Sequence, residues 1–338
     1  MSRYSHFTEE DYRPRPNRRG SRPRTKDRPD YSDALVGFVF SVDRGRYRLA
    51  LPDGPRLTGV RASHLRRRPI VPGDRVRVVG DTSGTEGTLA RIVDIEPRTT
   101  VLRRTADDTD PTERVLVANA DQLVIVTATA DPDPSEGLID RTLIAAFDAG
   151  ITPILAITKL DLKPADALRE RFAHSGVQIV DCGFDDQGQP RVDQLRGLLD
   201  GHVSVLVGHS GVGKSTLMNA LIPQVSRATG SVNEVTGRGR HTSSSALGVE
   251  LPDGGWLIDT PGVRSFGLAH VTPETVLNAF EELVPATAEC PRGCSHTENS
   301  PGCALDAWVT NGKAGDAGRD RLNSLRRLLT NLASTPQY

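Results

Sequence analysis

The stretch "GHSGVGKST", residues 208–216, follows the apolar run "VSVLV" (203–207) and opens "STLMNALI" (215–222), which has helical spacing. It satisfies G-x-x-x-x-G-K-[ST] from Gly208 to Ser215, a pattern with a mechanical reason. Gly208, Gly211 and Gly213 allow the backbone to curl so that successive N–H groups point at phosphate oxygens. The N-terminus of the following helix adds the positive end of its dipole. Lys214 is spaced to reach the β and γ phosphates, and the Ser215 hydroxyl to ligate Mg²⁺. His209, Ser210, Val212 and Thr216 complete the nucleotide-binding set, His209 as a bystander to the chemistry. A strand that runs into such a loop and then a helix belongs to an α/β domain.

Downstream, "LIDTPG" (257–262) places Asp259 at a strand end, where its carboxylate would hold Mg²⁺. Gly262 would offer its N–H to the γ-phosphate. Between the two loops lies "TGSVNEVTGRGRHTSSS" (229–245), polar, Gly-rich and without period. That composition suits either a segment ordered by the γ-phosphate or a plain surface loop. Thr242 is the residue placed to close over Mg²⁺.

Upstream, "TKLD" (158–161) specifies the base. The Asp161 carboxylate can accept from both N1–H and the exocyclic amine of guanine, a pair that adenine lacks. Lys159 would lay its stem along the ring, and Leu160 completes the loop. Thr158 stands where Asn is usual, so one neutral hydrogen bond is expected to be missing, worth about 1 kcal/mol. An unpermuted GTPase carries the phosphate loop first and the base reader near the end. Here the order is base reader, phosphate loop, switch Thr and magnesium Asp, as in a circular permutation that leaves the sheet intact. The segment after "DTPG" then becomes the exit into the C-terminal region, so a nucleotide-dependent shift can pull directly on that region.

The rest of the chain fits around this unit. "DQLVIVTATA", "ITPILAITKLD" and "GVQIVDCG" are apolar runs expected to be parallel strands covered on both faces. "LIDRTLIAAFDAG" between two of them has helical spacing. From Ala34 to Pro97, five short strands broken by turn residues suggest a small barrel of OB type. The boundaries predicted are a disordered basic arm (1–33), an OB-fold (34–100), the GTPase domain (101–270) and a mostly helical zinc domain (271–338). In the last, Leu322, Leu325, Leu328 and Leu329 form one apolar stripe.

Cys290, Cys294, His296 and Cys303 follow C-x3-C-x-H-x6-C, three thiolates and an imidazole that suit structural Zn²⁺. Four protein ligands leave no open position for a substrate. Cys182 lies outside the set and is read as a spectator. The formal net charge of −1 hides an arginine-rich first thirty residues, which fit either a solubilising tail or an arm that binds nucleic acid. Basic residues are dense in the barrel too, among them Arg61, Arg66, Arg67, Arg68, Arg75 and Arg77, which fit either a mixed-charge solvated surface or an RNA-facing barrel. No apolar run reaches the roughly twenty residues that a membrane span needs, no secretory signal is visible, and a cytoplasmic setting is expected.

These motifs together resemble the ribosome small-subunit-dependent GTPase A family, circularly permuted GTPases of bacterial ribosome assembly. The resemblance rests on "ANADQLVIVTA" (118–128), "LIDRTLIAA" (138–146), "TKLDL", "GHSGVGKSTLMNAL", "GRGRHTSSS", "DTPGVRSFGL" and "CPRGCSHTENSPGC". It implies a monomeric GTP hydrolase that binds GTP and GDP, with Mg²⁺ at the nucleotide and one Zn²⁺ per chain. It also implies action on the 30S subunit and its 16S rRNA. The chain departs from the family pattern at Thr158 and at Asp181-Cys182-Gly183, where a base-contacting "SA" pair is usual. Val263 follows the D-x-x-G loop where many GTPases carry a water-positioning Gln, so slow intrinsic turnover is expected. His241, beside the switch Thr, is the candidate catalytic residue, with a plain surface His as the alternative. Two other functions compete: an RNA-binding scaffold with vestigial turnover, and a permuted GTPase of large-subunit assembly.

Overall fold

The computed structural model describes residues 30–334, apart from positions 53, 108–109, 186, 223–245, 261–265, 267 and 269. His241, Thr242, Gly262 and Val263 therefore lie outside the described residues, as does the arm at 1–29. Ala34–Tyr338 constitutes one unit.

Period-2 patterning builds the barrel. In β2 (Arg46–Ala50), Tyr47 and Leu49 are buried while Arg46 and Arg48 face water. The same alternation runs through β3 (Arg56–Arg61) and β4 (Arg75–Gly80), whereas β1 (Leu35–Asp43) and β5 (Ala90–Ile95) each bury two adjacent residues, Val39 with Phe40 and Ile92 with Val93. Strand β1 pairs with both β2 and β4, β3 runs parallel to β5, and β4 pairs with β5, which closes the ring. Val39, Leu49, Val76 and Ile92 fill its centre. The predicted five-stranded barrel is thus present. A hairpin that the sequence pattern does not signal, β6 (Val101–Asp107) with β7 (Asp110–Ala118), links it to the next region.

The central sheet runs β10 (Gln178–Cys182), β9 (Thr152–Thr158), β8 (Gln122–Ala128), β11 (Val203–Val207), β13 (Trp256–Asp259), β12 (Leu247–Glu250). All neighbours are parallel except β12 against β13. Strand β8 is buried along its whole length, as expected of a strand covered on both faces. On one face lie α1 (Glu136–Ala149), α2 (Asp166–Phe172) and the C-terminal elements. The other carries α3 (Asp193–Leu199) and α4 (Lys214–Leu221).

The C-terminal region comprises α5 (Pro273–Leu277), α6 (Ala304–Thr310) and α7 (Gly318–Ala333). The leucine stripe of α7 is buried against the first face, extended by Leu332. Beside it, Arg327 donates to both oxygens of the buried Asp140 on α1 at 3.1 and 3.2 Å, and Asn331 donates to the same carboxylate at 2.7 Å. Burial lifts the Asp140 carboxyl above its ordinary range, and Arg327 opposes that rise.

Barrel and central sheet are joined edge to edge. A bulge between Val39 and Ser41 bends β1 so that Ser41 pairs with Leu247 of β12. The result is one eleven-stranded sheet. Around the junction, Phe38 and Phe40 lie 4.8 and 5.4 Å from the Trp256 ring, and Arg56 pairs with Glu250 at 3.1 Å.

Candidate nucleotide site and metal centre

The loops flagged in the sequence all leave the carboxyl ends of parallel strands, where open α/β sheets gather their ligands. "TKLD" leaves β9, the loop at 208–213 leaves β11, and Asp259 ends β13. Gly208 passes so close to β8 that a Cβ there would lie 2.4 Å from the Val126 carbonyl oxygen, and its φ of +152° suits glycine. Gly213 precedes α4 in the left-handed region, and Lys214, Ser215 and Thr216 form the helix's first turn. The Lys214 ammonium donates to the carbonyls of Gly208 at 2.6 Å and His209 at 2.5 Å. Asp259 is buried, and the next residue, Thr260, donates from its hydroxyl to the Leu206 carbonyl at 2.9 Å, fixing β13 to the end of β11.

Thr158 has a role that local sequence does not signal. Its hydroxyl donates to the Val212 carbonyl at 2.6 Å, with the Thr127 carbonyl 3.1 Å away. The shorter side chain thus ties the base-side loop to the phosphate-side loop. Lys159 sits in the left-handed region at φ +54°, and its ammonium bonds to the Asp131 carbonyl. Thr129 donates to the Lys159 carbonyl at 2.6 Å. Thr127, Thr129 and Asp131 are not legible in the sequence because their roles depend on β8 lying beside β9.

A cavity of about 290 Å³ joins the two loops, with Thr158, Lys159 and Asp161 on one side and Gly213 and Thr216 on another. Cys182, read from the sequence as a spectator, lines it too. Burial pushes its thiol up to about 12, so it serves as neutral, apolar lining. Gly183 follows because a Cβ there would meet the Leu160 side chain at 3.0 Å. An alanine of the usual "SA" pair would crowd this Leu160.

In the C-terminal region the ligand atoms of Cys290, Cys294, His296 and Cys303 all lie within 4.8 Å of one another. His296 Nδ1 is 3.7 Å from the Cys290 sulfur and 3.8 Å from that of Cys303. Tetrahedral Zn²⁺ with metal–sulfur bonds of about 2.3 Å separates its ligand atoms by roughly 3.8 Å, so the donor set and its spacing fit zinc. Burial lowers the His296 pKa, which leaves a neutral imidazole able to donate a lone pair. Burial, with the neighbouring thiols adding to it, pushes Cys303 up to about 11. A bound cation would offset that cost of ionisation.

Sheet order, loop placement and the displaced order of the loops along the chain define a circularly permuted P-loop GTPase fold with an N-terminal barrel and a Cys₃His centre. A family model described as RsgA GTPase matches residues 95–269. The small ribosomal subunit biogenesis GTPase RsgA of Pseudomonas syringae pv. tomato is 38% identical over 317 residues, 91% of this chain and 88% of its own. Its counterpart from Pseudomonas aeruginosa LESB58 is 39% identical over 282 residues, 80% of this chain and 79% of its own. Among solved structures, YjeQ from Thermotoga maritima superposes with a TM-score of 0.63 at 25% identity, covering 89% of this chain and 99% of that one. YloQ, described as a circularly permuted GTPase, gives 0.61 at 23% identity, with 92% and 100% coverage, and supports the fold alone. The chain belongs to the RsgA GTPase family.

Proposed function

We propose that this protein hydrolyses GTP while bound to the maturing 30S subunit, as a cytoplasmic monomer that contacts 16S rRNA. The observation that carries the nucleotide part is the single cavity shared by Asp161, Thr158, Gly213 and Thr216. In this reading Asp161 selects guanine, with Lys159 and Leu160 beside it. The loop from Gly208 through His209, Ser210, Gly211, Val212 and Gly213 to Lys214 and Thr216 cradles the phosphates, and Gly262 approaches the last of them. Ser215, Thr242 and Asp259 would hold Mg²⁺, which would supply positive charge against the phosphates. His241 orients water once its segment is held by the subunit. The zinc set staples the C-terminal region and takes no part in the chemistry.

The ribosomal part draws on the relatives' names and on the barrel. Arg61, Arg66 and Arg91 line a cleft of about 390 Å³ with Ser63. Among the described residues none of the three has a carboxylate within ion-pair distance, whereas Arg56, Arg68, Arg77 and Arg98 do. Converging guanidinium groups without counter-charge favour a phosphate backbone.

The test is GTP turnover alone, with purified 30S and with 50S subunits. Slow basal turnover should rise by orders of magnitude with 30S only, and His241→Ala should remove the rise while subunit binding persists. No effect of 30S on the parent would favour a scaffold with vestigial turnover, and stimulation by 50S alone would favour large-subunit assembly.

A further inference from the structure

The wall of the base-side cavity contains a ring that the phosphate and base loops do not account for. Beyond Cys182 the chain turns back on itself. Phe184 bridges to Pro190 in antiparallel fashion, and Arg191 N–H donates to the Gly183 carbonyl at 2.8 Å. Asp185 closes the turn, its N–H donating to the Gln189 carbonyl at 2.8 Å. Its carboxylate accepts from the N–H groups of Gln187 at 2.9 Å and Gln189 at 2.8 Å. Gly188, at φ +73°, donates to the Asp185 carbonyl at 3.0 Å. Among the described residues, these bonds tie the segment that carries Phe184 to its own chain.

Phe184 is 46% exposed and Leu162 is 54% exposed, two of the four large apolar side chains found so exposed among the described residues. Both line the cavity that Lys159 and Asp161 line. Single exposed apolar side chains are ordinary, but two at the mouth of one cavity mark a surface meant to be covered. The Lys159 stem, fixed through its ammonium to the Asp131 carbonyl, supplies another wall. A flat purine is the ligand component that covers an aromatic face, a leucine and an alkyl stem together.

We propose that Phe184, backed by Leu162, forms a stacking clamp for the purine ring of the bound nucleotide, so that Asp161 chooses the base and Phe184 supplies much of its affinity. This rests on the reading of the cavity as a guanine-nucleotide site. Gly183 is part of the device, because the chain must pass close over Leu160 to bring the next residue to the cavity.

The test compares GDP, ADP and inorganic tripolyphosphate on the full-length parent, Phe184→Ala and Phe184→Trp. Removing a stacked ring should weaken GDP binding roughly tenfold, while tripolyphosphate, which has no base, should bind the parent and Phe184→Ala alike. Phe184→Trp should retain GDP affinity and gain an emission component quenched by GDP but not by tripolyphosphate, a signal that a purely structural role would not produce. Unchanged GDP affinity in Phe184→Ala, equal losses for GDP and tripolyphosphate, or an emission blind to saturating GDP would each overturn the clamp. A parent that binds GDP no better than ADP would instead overturn the guanine reading. A parent that binds GDP no better than tripolyphosphate removes the base site and the clamp with it.

Discussion

Thr158 shows how one hydroxyl can connect two loops that are 54 residues apart in the chain. The Val212 carbonyl it serves belongs to the phosphate-side loop, so the bond fixes the distance between the cavity's two ends. Thr158→Val removes the donor while keeping the shape, leaving a buried carbonyl short of a partner at a cost of about 1–3 kcal/mol. GDP affinity measured calorimetrically should fall roughly tenfold, and Thr158→Ser should restore most of it. Parental affinity in Thr158→Val would show the bridge to be idle. At this scale the sequence is legible where chemistry demands a residue type at fixed local spacing, as with Lys214 and Ser215 or the Cys₃His set. It is illegible where a role depends on a partner across the sheet. The bond from Thr158 to Val212 and the apolar lining that Cys182 supplies are not predicted, because the nearness of the loops after β9 and β11 does not show in local pattern.

Elements are most legible where a single periodicity dominates. The alternation of β2, the buried run of β8 and the leucine stripe of α7 each has one face or two faces to bury, and burial follows pattern. The β6–β7 hairpin escapes such reading because it lies between two regions of different grammar and matches neither. Helix α7 is secured by more than its leucines. Arg327 and Asn331 both end on Asp140, which is 1% exposed. Asp140→Ala leaves a mostly buried guanidinium without its carboxylate and should lower stability by about 3 kcal/mol. Thermal denaturation with saturating GDP checks this, and a loss below about 0.5 kcal/mol, the range of ordinary surface substitutions, would rule out the network as a support. The metal centre makes a second prediction for the same region. Protein purified without chelator should contain one zinc per chain, and Cys294→Ala should increase hydrogen exchange in α6 and the turn before it. GDP affinity should stay at the parental level, since the cavity residues belong to other elements. Protein that contains no zinc would refute the assignment.

For the whole molecule, the nucleotide sheet has two neighbours: the C-terminal region comes after Asp259 in the chain, and the barrel lies beside β12 in space. Sequence order discloses the first connection. The second is hidden, because Ser41 and Leu247 pair only after β1 bends at its bulge. If the barrel docks through its unpaired arginines, changing Arg61, Arg66 and Arg91 together to Gln should weaken 30S binding. It should also flatten the dependence of log affinity on log salt by about one for each arginine that meets a phosphate. Turnover without subunits should be unchanged. A salt slope equal to the parent's would remove this cleft from the docking surface.

The junction at β1 and β12 also limits how the protein can be divided. Cutting away residues 34–100 would do more than delete a binding module. It would strip the antiparallel neighbour from β12 and uncover the Trp256 face that Phe38 and Phe40 now cover. A raw strand edge beside an exposed indole is a template for self-association. The barrel is therefore also the cap that keeps the nucleotide sheet from adding strands of its own kind.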